Sequence, residues 1–142
     1  MNETTKTFDQ VTAEDIKNAL ADELRVRDTH YSLPIVIIDG DEYAVATTEQ
    51  EAFEACCENI EDSLCYFSPS FLAEQTELPV EIFEALARTD FSDNEVYKDL
   101  IERVTTIENF VQEAIDCDGM GHFLAPYDLK ERMIGEYRLY RM

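Results

Sequence analysis

Apolar positions along the chain recur at two spacings, three to four residues in most segments and two in a few. The pattern therefore predicts helices with a small amount of sheet. Residues 1–10 are polar and read as a flexible arm. Thr12, with Asp15 three residues on, has the form of a capping box opening a helix that buries Ile16, Ala19, Leu20 and Leu24 and ends near Arg27. Pro34 to Ile38 reads as a strand, Asp39-Gly40 as a two-residue hairpin turn, and Glu42 to Ala46 as the return strand. Thr48 and Glu51 form a second capping box, before a helix whose buried positions are Ala52, Phe53, Cys56, Ile60 and Leu64. Ser68-Pro69 places a proline at a helix start, and Leu78-Pro79 restarts the chain into Val80–Arg88, burying Ile82, Phe83 and Leu86. Ser92 with Glu95 opens a long helix to about Asp116, with Val96, Leu100, Val104, Ile107, Val111 and Ile115 on its apolar face.

The last quarter changes character. Asp118-Gly119-Met120-Gly121 reads as a loop, Gly119 ending the long helix and Gly121 serving a tight turn, and Ala125 to Asp128 as another. Glu136 to Arg141 alternates aromatic or aliphatic with charged residues, the pattern of a strand with one buried face. The expected fold is α+β: four to five helices packed on a small antiparallel sheet, built from the hairpin at 35–46 and the C-terminal strand 136–141, in one domain over 1–142.

Composition adds to this picture. The chain has 142 residues, 45% of them hydrophobic, with eight Phe and seven Tyr, so it is a folded domain and not a disordered acidic tail. Thirty-two Asp and Glu face eleven Lys and Arg, a formal charge of −21. Solubility needs a net charge of only about 2–8 in a small domain, and the excess costs stability through self-repulsion. A halophilic source is the bland explanation. No leader and no apolar run near the roughly 18 residues of a membrane span are visible. Cys56, Cys57, Cys65 and Cys117 form no CxxC pair, so they are expected to be reduced thiols in a cytoplasmic protein with no cofactor. A zinc site from Cys56, Cys65, Cys117 and His122 is the weak alternative.

The charge is unevenly distributed. Residues 28–87 contain fourteen acids and no Lys or Arg, whereas residues 119–142 contain four basic residues and three acids. A solvated helical surface normally mixes signs to gain pairs four residues apart.

From about Ile35 onward the chain resembles small acidic proteins of tailed bacteriophages. The likeness lies in Asp41-Glu42-Tyr43-Ala44-Val45, Glu61-Asp62-Ser63-Leu64 and Phe71-Leu72. Its most specific part is Ala114-Ile115-Asp116-Cys117-Asp118-Gly119-Met120-Gly121-His122-Phe123-Leu124, followed by Tyr127-Asp128 and a closing Tyr- and Arg-rich strand. The phage pattern continues from Tyr-Asp into Gly and acids, where Leu129-Lys130 stands here. The resemblance implies a phage accessory protein acting in the host cytoplasm, and carries over no catalytic residues.

Three functional readings follow. The first is an inhibitor of a host defence nucleoprotein, similar in composition to DNA-mimic anti-CRISPR and antirestriction proteins. Duplex DNA carries one charge per about 1.7 Å of axis, so adjacent acidic helices are needed to approximate it. The candidate residues are Glu49, Glu54, Glu58, Glu61 and Asp62 on one helix, Glu74, Glu77, Glu81 and Glu84 on the next segments, and Asp99 and Glu102 on the last, with Glu108 and Glu113 beyond them. A basic nucleic-acid-binding surface is the expected partner, reached at salt-sensitive rates. Direct nucleic-acid binding and membrane association are not expected. The plain alternative is a solvated acidic face. The second reading is an interaction module using Arg132, Tyr137, Arg138, Tyr140 and Arg141, the residue types of interface hot spots, with homodimerisation through the edge of the tail strand. The third is a small metal-dependent or acid–base enzyme around Asp116, Asp118, His122, Tyr127 and Asp128. Asp116-Cys117-Asp118-Gly119 resembles half of a calcium loop, but Tyr127 stands where the closing Glu belongs.

Overall fold

The structure is a computed structural model describing residues 7–22, 29–89 and 93–142. Among these residues lie seven helices and a five-stranded antiparallel sheet, an α+β fold. The predicted burial of Leu24, the helix end near Arg27 and the cap at Ser92 lie outside the described residues. The chain divides into two compact units, residues 1–56 with 118–142, and residues 57–117.

The first unit is organised by its sheet, in the order β1 (Thr29–His30), β2 (Leu33–Ile38), β3 (Asp41–Ala46), β5 (Tyr137–Arg141), β4 (Glu131–Ile134). Asp39 and Gly40, at φ +51° and +82°, make the β2–β3 turn with both central residues left-handed, the type I′ geometry that matches strand twist. Val36 sits opposite Tyr43, and Val45 opposite Leu139. The face formed by Val36, Ile38, Tyr43, Val45, Ile134, Tyr137 and Leu139 packs with Val11, Ile16 and Ala19 of the N-terminal region. Helix α1 (Ala13–Ala21) begins at the predicted box: Asp15 N donates to Thr12 Oγ1 at 3.2 Å, and Thr12 N donates back to Asp15 Oδ2 at 2.9 Å. These two bonds satisfy amides that a helix start leaves unpaired.

Several expectations for this unit are corrected. The C-terminal strand is not an edge. β5 lies between β3 and β4, so its backbone is used on both sides and offers no dimerisation edge. β4 was not expected; it follows from Gly135 at φ +59°, the first central residue of a two-residue turn pairing Ile134 with Tyr137. Residues 120–124 form a short helix, α7 (Met120–Leu124), instead of a loop. Gly119 does end the helix before it, separating Asp118 from α7 at φ +84°. Gly121 serves close approach and not a tight turn: a Cβ there would lie 2.6 Å from Glu131 N. Leu129 adopts φ +61°, a conformation a non-glycine residue enters at a cost of roughly 1–2 kcal/mol.

Helix α2 (Glu49–Glu61) runs from the first unit into the second. Its predicted box is formed, Glu51 N donating to Thr48 Oγ1 at 3.1 Å and Thr48 N donating to Glu51 Oε2 at 3.1 Å. Ala52, Ala55, Cys56 and Ile60 are buried, whereas Phe53 is half-buried.

The second unit is helical. A 3-10 turn at Leu64–Tyr66 leads to α3 (Pro69–Thr76), where Ser68 Oγ accepts from Phe71 N at 3.2 Å, then α4 (Val80–Arg88). Phe83 is buried as expected, but Ile82 is 41% exposed and Leu86 half-buried. The long helix to Asp116 is two helices, α5 (Asn94–Glu102) and α6 (Ile107–Asp118). Thr106 Oγ1 accepts from Asn109 N at 3.1 Å and restarts the chain as the cap of α6. The break moves the buried face of α5 to Tyr97 and Ile101, leaving Val96 and Val104 at the surface. In α6 the buried set is Ile107, Phe110, Val111 and Ala114. Phe67, Phe71 and Phe110 meet with ring centroids 5.2 to 5.6 Å apart.

Candidate partner-binding surface

Of the eleven predicted partner-binding acids, Glu49 and Glu54 belong to the first unit. Glu58, Glu61, Asp62, Glu74, Glu77, Glu81, Glu84, Asp99 and Glu102 belong to the second. All are exposed except Glu61, which is half-buried. Residues 57–117 hold fifteen Asp and Glu against three Lys and Arg, a net charge of −12 on 61 residues.

Helical spacing orders these carboxylates locally. Glu58, Glu61 and Asp62 stand at i, i+3 and i+4, Glu81 and Glu84 at i and i+3, and Asp99 and Glu102 likewise. One turn advances about 5.4 Å, so each pair lies roughly one turn apart along its helix. Like-charged pairs at these spacings destabilise a helix by a few tenths of a kcal/mol each. The surface is therefore maintained against a local cost.

The field is visible in one cation. Lys98 Nζ lies 3.4 Å from Glu61 Oε1. Its pKa is raised above the ordinary lysine value by the Glu61 charge and hydrogen bond first, with Glu102 and Glu95 adding to it. The sequence marks Glu95 as a capping residue, and the structure adds that its charge acts on Lys98. Its spacing from Asp99 and Glu102 on α5 was the available signal. Glu54 accepts from Gln50 Nε2 at 3.2 Å, and Glu49 lies 3.8 Å from Arg138.

The basic–aromatic tail does not form the surface its sequence suggested. Tyr137 and Tyr140 are buried in the first unit. Tyr140 Oη donates to Glu131 Oε1 at 2.6 Å, and burial, together with that carboxylate, holds its pKa far above the ordinary tyrosine value. Arg138 donates to Glu131 at 2.9 Å, Arg132 pairs with Asp128 at 2.6 Å, and Arg141 pairs with Asp41 at 3.0 Å while stacking 3.9 Å from the Tyr127 ring centre. These cations brace the sheet edge and its loop. Of the tail's tyrosines, only Tyr127 is exposed.

The residues of the enzymatic alternative are engaged elsewhere or separate. Asp116 Oδ1 accepts from Gln112 Nε2 at 2.9 Å, and Asp116 to Asp118 are helical, so they do not form a calcium-type loop. Desolvation pushes Asp128 upward, but the Arg132 guanidinium and the Lys130 N–H outweigh it and hold the carboxyl below its usual range. His122 is exposed, edge-on to Phe123. Among the described residues no three His, Cys, Asp or Glu side chains converge as metal ligands, and the four cysteines form no disulfide. A cavity of about 260 Å³ lies against α1 and β2, lined by Val11, Asp15, Ile16, Asn18, Ala19 and Val36 to Ile38; it contains none of the predicted acids. No helix of the described residues is long and apolar enough to cross a membrane. Compared with protein-family models, curated proteins and solved structures, the chain matches none.

Proposed function

We propose that this chain is a phage-encoded acidic inhibitor of a host defence nucleoprotein, a CRISPR effector or a restriction complex. It acts in the host cytoplasm by protein–protein contact, its helical carboxylates occupying a basic surface where DNA would otherwise lie. One observation carries the reading: residues 57–117 expose carboxylates from successive helices with only three cations among them. Such a surface attracts a positively charged groove over distances set by the Debye length, about 10 Å at 0.1 M salt. It raises association rates in the same way that phosphate does.

The test is capture of host proteins on the immobilised chain at low and high salt, followed by competition with duplex DNA. The expected partner is a nucleic-acid-binding complex that is released at about 1 M salt, where the Debye length is about 3 Å, and displaced by DNA. A partner held equally at both salt concentrations would sink the polyanion mechanism.

A further inference from the structure

We propose that Tyr66 is the aromatic anchor of the acidic surface, receiving an arginine side chain of the basic partner on its ring. The inference rests on the inhibitor reading above and names the chemistry of its contact. Tyr66 is 80% exposed, while Tyr97 in the same unit is buried and Phe67, the next residue, is packed against Phe71 and Phe110. Unlike a tyrosine on a loose loop, Tyr66 is fixed at the backbone on both sides. Tyr66 N donates to Ser63 O at 3.0 Å, and Phe67 N donates to Leu64 O at 3.2 Å. Asn94 clamps the turn from α5, its Oδ1 accepting from Cys65 N at 3.0 Å and its Nδ2 donating to Asp62 O at 2.8 Å. Leu64 is fully buried beneath. The turn is hydrogen-bonded at both ends, and of its large side chains Leu64 is buried while Tyr66 stands in water.

A tyrosine on a fixed backbone has only two side-chain torsions to lose on binding, which is why tyrosine is favoured at interface hot spots. The charge around it selects the occupant. Asp62, an exposed acid, stands four residues before Tyr66 at the start of the same clamped turn, and Glu61 before it already holds Lys98. An arginine laid on the Tyr66 ring gains a cation–π contact, and its planar fork can reach a carboxylate at the same time. A lysine ammonium is a strongly hydrated point charge without that fork, so arginine is the preferred guest.

The test is titration of the full chain with hexa-arginine and hexa-lysine peptides at low salt, followed by the aromatic proton resonances and by affinity. The arginine peptide should shift the Tyr66 ring resonances, identified by their loss in Tyr66→Ala. It should bind Tyr66→Ala about fivefold or more weakly than the parent, and Tyr66→Phe within about twofold, since the ring face is kept. The lysine peptide should bind the parent more weakly. Equal affinity of Tyr66→Ala and the parent for the arginine peptide would overturn the anchor and leave the acidic-surface reading intact. A parent chain that binds neither peptide would overturn both.

Discussion

A methyl group added at Gly121 would sit 2.6 Å from Glu131 N, 2.7 Å from Lys130 C and 2.9 Å from Leu129 O. All three are backbone atoms, so none can swing aside. Alanine is normally the better helix residue by about 1 kcal/mol, yet Gly121→Ala should lose about 1–3 kcal/mol through overpacking. Urea unfolding measures the difference, and a variant as stable as the parent would show slack between α7 and the 129–131 segment. His30 offers a second test at this scale. Burial lowers its pKa below 6.5, opposed by a hydrogen bond to the Leu124 backbone, and its buried Nε2 has no hydrogen-bond partner among the described residues. The folded state therefore prefers the neutral ring. Its contribution to stability is complete above the unfolded pKa of about 6.5 and is lost as pH falls from there through the lower folded value. Acidification also relieves repulsion among carboxylates, so the informative quantity is the stability of the parent minus that of His30→Gln. That difference should shrink between pH 7.5 and pH 5.5; a constant difference would contradict the assignment.

Elements whose ends carry their own chemistry were legible in the sequence. Thr12 with Asp15, Asp39-Gly40, Thr48 with Glu51, Ser68-Pro69 and Leu78-Pro79 each mark a boundary, and an element starts or turns at each. The α5–α6 break was not legible, because Val96, Leu100, Val104, Ile107, Val111 and Ile115 keep helical spacing across it. The interruption rests on the Thr106 hydroxyl, which competes for the Asn109 amide. Thr106→Ala should thus cost about 1 kcal/mol, read as a lower urea midpoint at unchanged slope. β4 was missed because only Ile134 of its four residues is buried, too short a run to show alternation. Of the candidate surface, the identity and exposure of the acids could be read from the pattern. The grouping of Glu61, Glu95 and Glu102 at Lys98 required knowing that α5 meets the turn following α2, which the Asn94 bonds to Asp62 and Cys65 establish.

For the whole molecule the decisive question is whether −21 is tolerated or used. A solvated face and a working surface predict different costs of neutralisation. Replacing Glu74, Glu77, Glu81 and Glu84 by Gln and Asp99 by Asn takes residues 57–117 from −12 to −7 without touching the Lys98 cluster or a buried side chain. Both views expect the variant to be more stable, since like charges are removed, by a few degrees in melting temperature. Added salt should raise the parent's melting temperature more than the variant's, because screening acts on the repulsion the variant has lost. They part at binding. If the surface is used, the variant should hold its basic partner several-fold more weakly and with a shallower salt dependence, as surface charges govern association rate and its ionic-strength response. More stability with weaker binding is the signature of charge kept for function at the expense of the fold. More stability with unchanged binding would assign the acids to solvation and leave the inhibitor reading without its support.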